Sequence, residues 1–203
     1  MQNIIKKSLE NSLSYNEYRS LVNELLKEGK STGATQNEDL FHYSELNETR
    51  MNRLDKTLSV SEIIQERLLN LENEFIFLTL TEGWCGDAAQ IVPVLNKISE
   101  TSDKIDLRLV LRDENEDLMN LFLTNGSKSI PKVILIDKNT QEVVGSWGPR
   151  PEAARKLIAD YKVKNGVVDE PIKIELQKWY LKDKGESTQL ELLQILEEKQ
   201  LVK

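Results

Sequence analysis

The hydrophobic positions of this chain follow one period at the start and another in the middle. Through the first part, to about Leu71, apolar residues recur at helical spacing. Ser14-Tyr15-Asn16-Glu17 has capping-box form, Tyr18, Leu21, Val22, Leu25 and Leu26 follow on one face, and Gly29 supplies a stop, which predicts a helix. The small polar residues from Lys30 to Asn37 predict a loop. A second helix is expected from about Ser44 to Leu54. Ser59-Val60-Ser61-Glu62 repeats the capping pattern, and Ile63, Ile64, Leu68, Leu69 and Leu71 give the apolar face of a third helix.

From Glu74 the pattern changes. Phe75 to Leu80 is a nearly continuous apolar run, the mark of a strand covered on both faces. Cys85 to Ser99 then predicts a helix, Ile105 to Leu111 a strand, and Glu114 to Leu123 a helix stopped by Asn125-Gly126. Lys132 to Ile136 and Glu142 to Trp147 are strands at hairpin spacing, and Glu152 to Tyr161 is a further helix. The order β-α-β-α-β-β-α describes an α/β unit, a mixed sheet flanked by helices. Two amphipathic stretches close the chain, Pro171 to Leu181 and Ser187 to Leu201. Their apolar faces are Leu176, Trp179 and Tyr180 on the first, and Leu190, Leu193, Ile195 and Leu196 on the second.

Composition narrows the picture. A chain of 203 residues can bury a full core without disulfide staples, and its one cysteine forms no internal bridge. Met1 to Ser8 hold no apolar stretch of signal-peptide length, so a cytoplasmic location is expected. No segment approaches the roughly 18 consecutive apolar residues of a membrane span, and membrane partners are not expected. A net charge of -7 offers no basic field for phosphates, which argues against nucleic acid. With one His and one Cys, neither a metal site nor a cofactor is expected.

The candidate chemistry lies at Gly83-Trp84-Cys85-Gly86-Asp87-Ala88-Ala89. A thiol where a strand hands over to a helix meets the free N–H groups and the positive end of the helix dipole, which favour a thiolate. The ordinary alternative for a lone cysteine is a small buried hydrophobe, but the flanking Gly86 and Asp87 are not core residues. Asp87 adds a negative charge that opposes the thiolate, and it is also placed to cap helix N–H groups. On balance a thiol pKa below the free value is expected.

The element order with Trp84-Cys85-Gly86 after its first strand resembles the thioredoxin family. Trp84-Cys85-Gly86 matches the start of the Trp-Cys-Gly-Pro-Cys motif, Pro93 stands where the family kinks its active-site helix, and Ser129-Ile130-Pro131 precedes a strand as the family's cis-proline does. The resemblance covers about residues 73 to 162 and implies a thioredoxin-like fold with helical extensions at residues 1 to 72 and 163 to 203, the three segments packing as one unit. It also implies that Cys85 is the nucleophile and that Trp84, Gly86, Asp87, Ile130 and Pro131 contact a partner, the Ile130 backbone pairing with an extended substrate beside the sulfur. The departures are Asp87 for the motif's proline, Ala88 for the resolving cysteine, and Thr79 for a buried aspartate. Without a resolving thiol no internal attack releases a mixed disulfide. The expected activity is therefore monothiol exchange with protein or low-molecular-weight thiols, no particular partner or oligomeric state being implied. The alternatives are a non-catalytic module that kept the peptide groove and, less favoured, a glutaredoxin-like role.

Other constellations are weaker. His42 pairs with Cys85 only if the N-terminal helices fold over the site. Asp113-Glu114-Asn115-Glu116-Asp117 is expected to be solvated helix capping. Arg50 and Arg53, one helical turn apart, form either an anion site or an exposed face. The resemblance sets Trp147-Gly148-Pro149-Arg150-Pro151 some way from the cysteine, as a structural turn with Arg150 on the surface.

Overall fold

The computed structural model describes residues 1–200, and the predicted reach of the last helix to Leu201 lies outside them. Strands β1 (Phe75–Thr81), β2 (Ile105–Leu111), β3 (Lys132–Asp137) and β4 (Val143–Trp147) form one sheet in the order β2-β1-β3-β4. β1 runs parallel to β2 and antiparallel to β3, with Phe77 opposite Leu107 on one side and Leu135 on the other. Every residue of β1 and of β3 is buried. Continuous burial requires cover on both faces, and it explains why these strands show apolar runs and not alternation.

Helix α5 (Ala88–Thr101) crosses from β1 to β2 and contains Pro93, whose missing N–H a buried apolar helix tolerates through packing. α7 (Glu152–Asn165) follows β4. Around this unit lie α1 (Gln2–Glu10), α2 (Tyr15–Lys27), α3 (Glu38–Thr57) and α4 (Glu62–Leu69) from the N-terminal segment, and α8 (Glu170–Asp183) and α9 (Glu186–Gln200) from the C-terminal one. Both segments join one core: Tyr18, Met51 and Ile64 share it with Phe77, Leu95, Leu176 and Leu193. The N-terminal segment also shields a sheet edge. Leu13 and Leu109 exchange backbone hydrogen bonds of 2.8 Å, so part of the open side of β2 is paired within the chain.

The differences from the predicted elements have local causes. α1 went unpredicted because its apolar residues are too few to set a period. α3 begins at Glu38, well before Ser44, because the Asn37 side chain accepts the Leu40 N–H at 2.8 Å and Glu38 and Asp39 fill the acidic first turn. Ser44 lies inside the helix, its hydroxyl donating to the Leu40 carbonyl. The cap of α4 is Ser61 and not Ser59. α6 (Glu116–Leu121) is shorter than expected, since Arg112–Glu114 forms a separate 3-10 turn. In that acidic run the Asp113 N–H donates to the buried Glu82 carboxyl, so the run also closes a contact to the turn that follows β1. On α9 Leu190 is exposed and Leu192 takes its expected place in the core. Among the described residues no helix is long and apolar enough to cross a membrane.

Candidate active site

β1 ends at Thr81, and α5 begins at Ala88; the residues between carry the cysteine. Two contacts from the N-terminal segment fix this turn. The Gly83 N–H donates to Thr32 Oγ1 at 2.8 Å, and Asn47 Nδ2 donates to the Gly83 carbonyl at 2.9 Å. The Cys85 N–H donates back to the Glu82 carbonyl, which leaves the sulfur facing the first turn of α5. The Ala88 N–H donates to Sγ at 3.5 Å, and the thiol donates to the Ile130 carbonyl at 3.4 Å. Sulfur thus takes the capping position that was expected of Asp87, whose side chain makes no cap hydrogen bond.

Asp87 is engaged elsewhere. Its Oδ1 accepts the Tyr180 hydroxyl at 2.9 Å, and its Oδ2 pairs with Arg150 Nη2 at 2.6 Å. Arg150 is therefore part of the site, contrary to the surface position expected from the sequence. The cause is the turn that carries it. Gly148 has φ +117°, and a Cβ there would stand 2.3 Å from the Pro131 carbonyl oxygen. The turn consequently lies against the segment beside the sulfur. From α9, Glu191 accepts both the Trp147 indole N–H and the Glu152 N–H at 2.7 Å, tying the two ends of the turn together. The Ile130–Pro131 and Gly148–Pro149 peptide bonds are both cis.

Burial and the Asp87 carboxylate push the Cys85 thiol up to about 12, against the smaller opposing pull of the Ala88 and Asp87 N–H groups and Arg150. This overturns the expectation of a thiol below the free value. The helix N-terminus acts in the expected direction, but at 8% exposure desolvation is the larger effect. The same surroundings raise the Tyr180 hydroxyl well above its ordinary range, through burial first and Asp87 next.

Cys85 opens on a cavity of about 420 Å³ between α3 and α8. Trp84, Gly86 and Asp87 line it as well, together with Leu40, Tyr43 and Leu46 of α3, Ile174 and Gln177 of α8, and Arg50 and Arg150. Ile130 and Pro131 are buried and do not line it; their contribution is the carbonyl that holds the thiol. The N-terminal helices do fold over the site, yet His42 is exposed on α3 and is not among the lining residues. Arg112 lies 4.8 Å over the Trp84 ring, a cation–π contact that steadies the indole.

Sequence reasoning missed the roles of Arg150, Tyr180 and the α3 face. A signal existed for Tyr180, a hydroxyl on an otherwise apolar helix face, since a buried tyrosine O–H needs an acceptor. For Arg150 only the tertiary turn brings the guanidinium to Asp87.

A family pattern described as thioredoxin matches residues 33–162, well over half of the chain, and takes in α3 and α4 as well as the sheet. The chain belongs to the thioredoxin family. As a thioredoxin-family protein it has the mixed sheet and flanking helices of that fold, with helical extensions at both ends. Two solved structures share the architecture. One is a protein of unknown function from Pseudomonas aeruginosa, with TM-score 0.58 and 18% identity, covering 91% of this chain and 98% of that one. The other is an HIV epitope-scaffold, with TM-score 0.59 and 20% identity over the same shares of each chain. No functionally curated protein matches the chain.

Proposed function

We propose that this thioredoxin-family protein performs thiol–disulfide exchange through Cys85 alone. An incoming disulfide R–S–S–R′ is attacked by the Cys85 sulfur: the S–S bond breaks, a bond from Cys85 to the R sulfur forms, and the Cys85 proton leaves with R′–S as a thiol. A second external thiol R″–SH then attacks the mixed disulfide, returning Cys85–SH and releasing R–S–S–R″. Ala88 at the resolving position makes the external thiol necessary. The observation that carries this reading is that the chain's one thiol sits against the first N–H of α5 and also lines the α3–α8 cavity. The resting thiol is protonated at neutral pH, so exchange proceeds from a minor thiolate population that the Ala88 N–H and Arg150 favour. Intact-mass measurement of the native protein after incubation with a small disulfide tests it. One adduct on Cys85, released by added thiol, is expected; no native adduct, with full reaction in denaturant, overturns it.

A second reading has its own support. A thiol pushed up to about 12 and donating to Ile130 resembles a packed side chain more than a nucleophile, which favours a non-catalytic binding module using the same cavity. For such a module Cys85→Ser leaves partner affinity nearly intact, whereas for the thiol reading it abolishes covalent capture.

A further inference from the structure

The chain carries a net charge of -7, yet the groove between α3 and α8 is cationic. The cavity at Cys85 continues into a second recess through Arg50, Ile174 and Gln177. Together they are lined by Arg50, Arg53, Arg150, Lys173 and Lys178 against the carboxylates Asp87 and Glu170. Most of these charges are matched. Arg150 holds Asp87, Lys173 pairs with Glu170 at 3.4 Å, and Lys178 pairs with Glu175 at 2.7 Å.

Arg50 and Arg53 are in no ion pair among the described residues. Arg50 is half-buried, and its one hydrogen bond goes to Asn47 Oδ1 at 2.8 Å. Its guanidinium stands 3.6 Å from the position a Cβ would take on Gly86, next to the cysteine. Burial and then the Arg53 charge hold its pKa below the ordinary arginine value, so the charge is destabilised where it stands. Asp87 attracts it, but both Asp87 oxygens are already engaged. A planar, half-desolvated guanidinium with open donors is suited to a carboxylate. Around it Tyr43, Leu46 and Ile174 are apolar and partly exposed.

We infer that the disulfide reaching Cys85 is a small molecule with an apolar or aromatic body and a carboxylate that pairs with Arg50. The inference rests on the exchange chemistry above and adds its substrate class. A cavity of about 420 Å³ lies in the range of small-molecule sites, roughly 300–1,000 Å³, and the apolar walls take the body while Arg50 takes the charge.

Two measurements test it. The first compares native Cys85 with 5,5′-dithiobis(2-nitrobenzoate), which is anionic, and with neutral 4,4′-dithiodipyridine, each rate divided by that of a small free thiol. Each reaction forms the Cys85 mixed disulfide and releases one aromatic thiol. A preference of about tenfold for the anion is expected, lost in Arg50→Gln and kept in part by Arg50→Lys. The second needs no reaction: in Cys85→Ser, 4-(methylthio)benzoate is expected to bind about tenfold tighter than its amide, again through Arg50. Arg53→Gln, a milder change, should weaken both preferences if Arg50→Gln fails to fold. Failure of both disulfides to react with native protein overturns the exchange chemistry, while the benzoate arm still decides the anion site. Equal normalised rates with equal benzoate and benzamide binding overturn the inference. Binding of an acidic hexapeptide without binding of the benzoate also overturns it, in favour of a macromolecular partner.

Discussion

Asp87 Oδ2 and Arg150 Nη2 lie 2.6 Å apart, joining the turn after β1 to the turn after β4 directly beside the only cysteine of the chain. Since Tyr180 of α8 donates to the other oxygen of Asp87, this one carboxylate links the sheet unit to the C-terminal helices. Its charge also bears on the thiol.

Asp87→Asn is expected to lower the Cys85 pKa, because it removes the second-largest cause of the rise while burial remains. Alkylation rate against pH measures this, and the midpoint should move down from the wild-type position. The same change leaves a largely buried guanidinium without its partner. Since Arg150 keeps some exposure, the expected loss is about 2 kcal/mol, below the full cost of an uncompensated buried charge, and urea unfolding reads it.

The thiol also makes stability depend on pH. Its pKa in the folded protein, about 12, is raised above the ordinary value of 9.0. The contribution is therefore fully present below about pH 9 and is lost as pH rises toward 12, because the unfolded chain releases its proton first. Subtracting the unfolding free energies of Cys85→Ser from those of wild type at each pH isolates this slope. A difference that stays flat from pH 8 to 11 would contradict the buried, protonated thiol.

Tyr180→Phe removes one hydrogen bond to Asp87 and is expected to cost about 1 kcal/mol, with little change in Cys85 accessibility. Tyr180→Ala also leaves a void between α8 and the site, so a loss of about 3 kcal/mol and faster alkylation of Cys85 at fixed pH are expected. Thermal unfolding and thiol labelling follow the two effects separately.

Gly148→Ala meets both a positive φ and the Pro131 carbonyl oxygen at 2.3 Å, and should cost about 3 kcal/mol or prevent folding. Gly126→Ala shares the positive φ but has nothing within 4 Å, and the expected cost is nearer 1 kcal/mol. Comparable losses at the two positions would show that the Trp147–Pro151 turn does not rest on Pro131.

Ala88→Cys restores the spacing of a dithiol motif. Since the Ala88 N–H already reaches Cys85 Sγ at 3.5 Å, oxidation is expected to join the two sulfurs, seen as the loss of two hydrogens by mass. Reduction of insulin disulfides by this variant, absent in wild type, is the expected functional result.

What the sequence determined by itself is whatever depends on local periodicity and composition. The nearly continuous apolar run of Phe75 to Leu80 announced a strand buried on both faces, the spacing of Lys132 to Ile136 and Glu142 to Trp147 announced a hairpin, and Ser14 with Glu17 announced a helix start, because these signals come from neighbours in the chain. The strand-to-helix position of Cys85 was legible for the same reason. Long-range packing decided the rest. Whether Cys85 is exposed or desolvated depends on α3 and α8, which are far from it in sequence; their cover turned an expected low thiol pKa into a high one. Arg150 read as a surface residue because its partner lies across the fold, and only the approach of Gly148 to Pro131 brings the guanidinium to Asp87. Arg50 and Arg53 showed one shared helical face in the sequence, but that the face borders the cysteine follows from the packing of α3 against α5.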